Sequence, residues 1–189
     1  MNAFELEVNK CCDLLKEGKV IIYPTDTIWG IGCDATNYDA VEKIYKVKER
    51  SKGKGLIVLV DSIEMLKDYV NNLPPIAPDI IGAAKNPLSV IYSESKGLAK
   101  NVSSDGSICI RVVDNDFCKA LIGKLGRPIT STSANLAGDK APSIYVEISE
   151  HIKSSVDYVV QLYHDVLTKP KASTIIRLYE DNHFEVIRQ

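Results

Sequence analysis

Leu56-Ile57-Val58-Leu59-Val60 is an unbroken apolar run of strand length, and such runs are typical of strands covered on both faces. Helical spacing flanks it on either side. Ala40, Val41, Ile44, Tyr45 and Val47 precede it, with Asp39 or Asn37 as cap, and the patterns at 62 to 70 and 76 to 84 follow it. Further upstream, Phe4, Val8, Cys11, Cys12, Leu14 and Leu15 predict an amphipathic opening helix that stops at Gly18, and Val20-Ile21-Ile22-Tyr23 predicts a buried strand. Pro24-Thr25-Asp26-Thr27 breaks this strand before a second one over 28 to 32. Downstream come strands at 88 to 92, 107 to 112 and 127 to 130, a helix near 115 to 125, and late strands near 157 to 162, 173 to 178 and 184 to 188. Strands alternate with helices throughout, which predicts a layered α/β fold with a mixed sheet. Pro74-Pro75 and residues 138 to 143 read as loops, and no repeat or linker divides the chain.

The 189 residues, 45% hydrophobic and 25% charged, fit an ordinary globular core, and one domain is the default. A formal net charge of -2 argues against a surface that grips nucleic acid everywhere, since that mode relies on many unneutralised cations. It hides a local concentration: between 43 and 54, Lys43, Lys46, Lys48, Arg50, Lys52 and Lys54 stand against Glu49 alone. Five cysteines without CxxC or zinc-finger spacing predict a reduced, cytoplasmic setting rather than a disulfide framework. No leader-like start and no apolar stretch of about 20 residues is present, so a soluble chain with no membrane partner is expected.

Two polar clusters sit at the ends of strand-like runs. In Lys48-Glu49-Arg50-Ser51-Lys52-Gly53-Lys54, the glycines disfavour helix, and residues two apart on an extended segment share a face, so Lys48 and Arg50 can serve one polyanion. In Ser131-Thr132-Ser133-Ala134-Asn135, Ser133 and Asn135 obey the same geometry, and hydroxyls with a carboxamide suit phosphate oxygens, a ribose or an amino acid. Solvated charged turns and plain Ser/Asn turns are the bland alternatives, and composition alone leaves both open. Thr25, Asp26 and Thr27 are expected at a cleft edge, Trp29 as core or stacking platform, and Asp26 as turn cap or metal ligand. His151, His164 and His183 are expected away from these clusters, which leaves a Ser-His-Asp or Cys-His mechanism without a base. With neither a Walker A pattern nor GxGxxG, chemistry on a phosphorylated ligand would rest on positioning and charge stabilisation.

Tyr23-Pro24-Thr25-Asp26-Thr27-Ile28-Trp29-Gly30-Ile31-Gly32, Lys48-Glu49-Arg50, Ile108-Cys109-Ile110-Arg111-Val112 and Thr132-Ser133-Ala134-Asn135-Leu136-Ala137-Gly138, in that order, closely resemble the YrdC/Sua5 family from about residue 5 to the C-terminus. The resemblance implies a single YrdC-like domain over 5–189, with a twisted mixed β-sheet flanked by helices and a large basic cleft. It also implies a nucleotidyltransferase, L-threonylcarbamoyladenylate synthase, which makes threonylcarbamoyl-AMP and pyrophosphate from L-threonine, bicarbonate and ATP for the t6A37 modification of tRNA. Carried over by position, Lys48 and Arg50 are the catalytic pair. Arg50, Lys54, Ser107, Ser133, Asn135 and Arg188 contact ATP, and Thr27, Arg111, Ser131 and Ser173 hold L-threonine. Mg2+ would bridge the phosphates, with no protein ligand assigned beyond Asp26. The partners implied are the t6A-completing proteins and tRNA or double-stranded RNA; a non-catalytic RNA-binding protein using the same cleft is the alternative. Ser51 and Gly55 stand where many members have proline, and Leu59 where some relatives place a histidine near threonine. The chain ends at Gln189, as in the short form of the family.

Overall fold

A computed structural model describes residues 2–49, 55–103, 105–166 and 172–189. The opening helix α1 (Ala3–Lys16) starts at a capping box, in which Asn2 accepts from the Glu5 N–H and Glu5 accepts from the Asn2 N–H. Its buried stripe, Val8, Cys11, Cys12 and Leu15, packs against α5 (Asp116–Leu125), whose Phe117, Cys118, Leu121, Ile122 and Leu125 are buried in turn. Helices α2 (Tyr38–Val47), α3 (Ile63–Tyr69), α4 (Ala77–Ala83) and α6 (Glu150–Ser154) complete the described helical elements. Of these, α6 and the 3-10 turn Tyr145–Glu147 were not legible in the sequence.

Nine strands among the described residues form one mixed sheet: β1 (Ile21–Tyr23), β2 (Gly30–Gly32), β3 (Ile57–Val60), β4 (Leu88–Tyr92), β5 (Ile108–Val112), β6 (Ile129–Ser133), β7 (Tyr158–Val159), β8 (Thr174–Leu178) and β9 (Phe184–Arg188). Their order is β7-β1-β2-β6-β3-β5-β4-β8-β9. The apolar run that predicted a central strand is β3, parallel to β5 and antiparallel to β6. Register assigns its two faces. Val58 lies opposite Thr130 and Ile110, and Val90 opposite Ile110 and Ile176, so these five form one buried row across five strands. The adjacent row, Ser131, Ile57, Cys109 and Ile91, faces the other way, because successive side chains of a strand alternate. That second face is only partly covered. Ile57 is half-buried where full burial was expected, since it lies on the floor of a cavity.

The β1–β2 hairpin is held to β6 by the buried Tyr23 hydroxyl, which donates to Thr130 O at 2.7 Å. β7 runs parallel to β1, so the chain leaving β7 emerges beside the Pro24–Trp29 corner that leaves β1. Tyr145 and His164 consequently stack at 3.5 Å beside Trp29, with His164 5.8 Å from the indole. This corrects the expectation that the histidines lie away from every cluster.

All five cysteines are free thiols. Burial pushes Cys11, Cys33 and Cys109 from the ordinary 9.0 up to about 12, and it pushes Cys118 up as well. A raised folded value favours the protonated state, so this stabilising contribution is complete below pH 9 and is lost as pH rises towards 12. Each such thiol then costs about 1.4 kcal/mol per pH unit. Urea midpoints measured from pH 8 to 11 in the presence of reductant are expected to hold to about pH 9 and then fall steadily.

Candidate active site

The large cavity has a volume of about 620 Å3 and lies over the sheet face carrying Ser131, Ile57, Cys109 and Ile91. Loops close its sides: Thr27–Gly30 after β1, Gly55 and Leu56 before β3, Ser103, Asp105 and Ser107 before β5, and Ala172 and Ser173 before β8, while Ile187 and Arg188 reach in from the edge strand β9. Residues from distant parts of the chain meet here because β6, β3, β5, β4, β8 and β9 are neighbours in space. The cavity brings together Thr27, Ser107, Arg111, Ser131, Ser133, Ser173 and Arg188 from the expected set. Arg50 and Lys54, with Ser51, Lys52 and Gly53, lie outside the described residues.

Arg111 is the buried cation of the site. Its side chain is 3% exposed and its Nη2 lies 3.1 Å from Oδ1 of Asp26, itself 7% exposed. The contact is an ion pair without an aligned hydrogen bond to that oxygen, and Arg111 Nε is a buried donor with no partner. A buried N–H left unmade costs about 1–3 kcal/mol. Asp26, the one carboxylate considered as a metal ligand, is instead committed to Arg111 and to the Asp114 N–H, at 3.2 Å, and it does not line the large cavity. Among the described residues no cluster of three or more His, Cys, Asp or Glu forms a metal cage. The described residues therefore supply no carboxylate cage for Mg2+.

The hydroxyls are held in defined orientations. Thr27 is buried with its Oγ1 3.0 Å from that of Thr25, whose hydroxyl in turn donates to Ile28 O. Ser173 is buried, with its Oγ 2.8 Å from Ser89 Oγ, and Arg188 donates to Ser173 O from Nη2 at 2.8 Å and Nε at 3.2 Å. An expected ATP contact and an expected threonine contact thus touch each other. In the loop before β5, Asp105 Oδ1 accepts from the Ser107 hydroxyl, the Ser103 hydroxyl and the Ser107 N–H. The Ser107 hydroxyl, first among these, holds the Asp105 carboxyl below its ordinary range.

Lys48 and Asn135 lie behind the cavity, not on its wall. Lys48 caps α2 in a helical conformation and Glu49 follows at φ 49°, so the extended geometry expected for Lys48-x-Arg50 is absent at its first member. The lysine side chain turns inward. Nζ donates to Ser133 O at 2.5 Å and to Asn135 O at 2.7 Å, and the Ala137 N–H donates to Lys48 O. Asn135 commits its amide protons to Leu136 O and Asp139 O and keeps a buried, unpartnered Oδ1. Ser133 and Asn135 therefore do not share one face. Leu59, at the position where some relatives carry histidine, is fully buried in register with Arg111 and does not line the cavity. Sequence reasoning missed Ile57, Ile91 and Cys109 as floor and Ser103 and Asp105 as wall; the period-two pattern of β3, once its register is known, is the signal that finds the floor.

Residues 13–189 match the Sua5/YciO/YrdC family model, whose description reads "Telomere recombination". The chain is 37% identical over 136 residues to a protein of Aliivibrio fischeri named threonylcarbamoyl-AMP synthase, covering 69% of this chain and 73% of that protein. It is 32% identical over 178 residues to one of the same name from Saccharophagus degradans, covering 93% and 92%. In fold it is similar to E. coli YciO, with a TM-score of 0.84 at 24% identity over 100% of this chain and 91% of that one. With the family model matched over residues 13–189 and a relative 32% identical across 93% of this chain, the chain belongs to the Sua5/YciO/YrdC family.

Proposed function

We propose that this chain is a threonylcarbamoyl-AMP synthase, a nucleotidyltransferase acting on L-threonine, bicarbonate and ATP in the t6A37 modification of tRNA. The observation that carries the reading is the cavity itself, a concave site of about 620 Å3 that falls within the roughly 300–1,000 Å3 of small-molecule pockets. It presents a buried guanidinium beside fixed hydroxyls. In this reading the threonine amine attacks the carbon of bicarbonate, water leaves, and a carbamate forms. A carbamate oxygen then attacks the α-phosphorus of ATP in line, the bond from that phosphorus to the bridging oxygen breaks, and pyrophosphate departs. Accumulated negative charge is the main obstacle to this transfer, so cations and preorganised donors supply most of the catalysis.

Arg111, which lines the cavity, takes the threonine carboxylate, since a guanidinium matches a carboxylate better than any other side chain. Thr27, Ser131 and Ser173 orient the amino acid around it. Arg188, Ser107 and Ser133 face the nucleotide, together with Arg50 and Lys54. Ile57, Ile91 and the Cys109 thiol, which burial pushes up to about 12, give the site an apolar floor. Such a floor keeps water from a carbamate and an adenylate that hydrolyse readily. Mg2+ carried on the ATP phosphates would neutralise part of their charge, and the proteins that complete t6A are the proposed takers of the adenylate. No helix among the described residues is long and apolar enough to cross a membrane. The reading is tested by pyrophosphate release from ATP with threonine and bicarbonate omitted in turn.

A further inference from the structure

We infer that Asp26 is a positioning residue for threonine: it acts on the substrate only through Arg111, whose charge and orientation it fixes from behind the cavity wall. The inference rests on the synthase reading. Three observations carry it. First, the side chains of Asp26 and Arg111 are 7% and 3% exposed and lie 3.1 Å apart, so each is the other's counter-charge in a place where solvent cannot substitute. Second, the two face different spaces: Arg111 lines the large cavity, whereas Asp26 is absent from its lining and borders two smaller ones, of about 240 and 440 Å3. A ligand in the large cavity therefore meets the guanidinium and not the carboxylate. Third, the carboxylate is itself anchored at both ends. Its Oδ2 accepts from the Asp114 N–H just beyond β5, the strand that carries Arg111. Its backbone sits in a corner braced by the Thr25 hydroxyl, which accepts from the Thr27 N–H and donates to Ile28 O, and by the Cys118 thiol, which donates to Pro24 O.

This arrangement divides the labour within the pair. Asp26 engages Nη2 without lining the large cavity, and Arg111 lines it. A buried Arg without its carboxylate becomes an uncompensated charge that either turns away or draws in water, and in both cases the receptor geometry is lost although no group touching the substrate has changed.

The test is Asp26→Asn, which keeps the shape and removes the charge. It is expected to raise the KM for L-threonine about tenfold or more, because breaking one half of a buried pair is costly, and to leave the KM for ATP within about twofold. Calorimetric binding of L-threonine to the variant weakens in proportion. Asp26→Glu, which restores the charge at a shifted position, recovers part of the threonine affinity; if Asp26→Asn fails to fold, a threonine-selective rise in KM in Asp26→Glu supports the inference in its place, and equal rises in both KM values there overturn it. A merely structural role would move both KM values together with the melting temperature, and that result overturns the inference. Unchanged threonine binding in a folded Asp26→Asn protein overturns the inference alone, while wild-type protein that binds no threonine overturns the synthase reading and the inference with it.

Discussion

Lys48→Met is expected to abolish threonine-dependent pyrophosphate release, and Lys48→Arg is expected not to restore it. The lysine is 2% exposed, and its Nζ bridges Ser133 O and Asn135 O, so it splices the end of α2 to the end of β6. Removing it takes the charged donor from two partly buried carbonyls and leaves Ser133 O with the Asn135 N–H, and an unmade bond costs about 1–3 kcal/mol. The consequence reaches the cavity because Ser133 lines it: with the Lys48 bridge gone, the Ser133–Asn135 segment is held less firmly and its hydroxyl less well placed. Arginine carries the same charge, but its planar fork is larger than the three-donor ammonium that fits between these carbonyls. A lysine that contacted phosphate directly would be replaced in part by arginine. Substantial activity in Lys48→Arg would therefore show that Nζ works on the ligand and not on the Ser133–Asn135 segment. Circular dichroism and a melting curve separate loss of the segment from loss of the fold, and a fall in stability of roughly 2–3 kcal/mol is expected in Lys48→Met.

Gly32→Ala is expected to give the largest loss of stability from the smallest change of structure. A methyl group built on Gly32 would lie 2.1 Å from Thr130 O and 2.7 Å from Cε1 of Tyr23. Neither neighbour can yield: the carbonyl belongs to β6 and accepts from the Tyr23 hydroxyl, and Tyr23 is fully buried. Overpacking a close-packed interior ordinarily costs about 1–3 kcal/mol, and a clash against backbone lies at or beyond the top of that range. For a chain of this length about 3 kcal/mol corresponds to a melting point lower by roughly 6–12 °C. Because β2 carries Gly30, which lines the cavity against Ser131, activity below the transition should fall as well. A melting point within about 2 °C of wild type would contradict the packing described at this corner.

The elements that packing alone decides were legible in the sequence. β3 and β5 announced themselves by unbroken or alternating apolar runs, α1 and α2 by helical spacing closed with caps, and α5 as a helix near 115 to 125. α6 was missed because a five-residue helix contains too few turns for periodicity to register, and the Tyr145–Glu147 turn for the same reason. The membership of the site was partly legible through the resemblance, which drew attention to Arg111, Ser131 and Ser173. Its geometry was not. That Lys48 turns inward depends on its place at the end of α2 beside the carbonyls of Ser133 and Asn135, the first of them 85 residues away in sequence, a neighbour that no spacing rule foresees. That Asp26 pairs with Arg111 depends on β1 and β5 delivering their ends to one point, which is a property of strand order. The approach of His164 to Trp29 likewise follows from the parallel pairing of β7 with β1, information that short late strands do not carry.

In the proposed reaction one cavity binds threonine through Arg111 and couples it, as a carbamate, to ATP. Pyrophosphate release from ATP by purified protein, measured with both L-threonine and bicarbonate present and with each left out in turn, tests this most directly. Release is expected only with the complete mixture, with background in either omission. Release that persists at the same rate without threonine would contradict it.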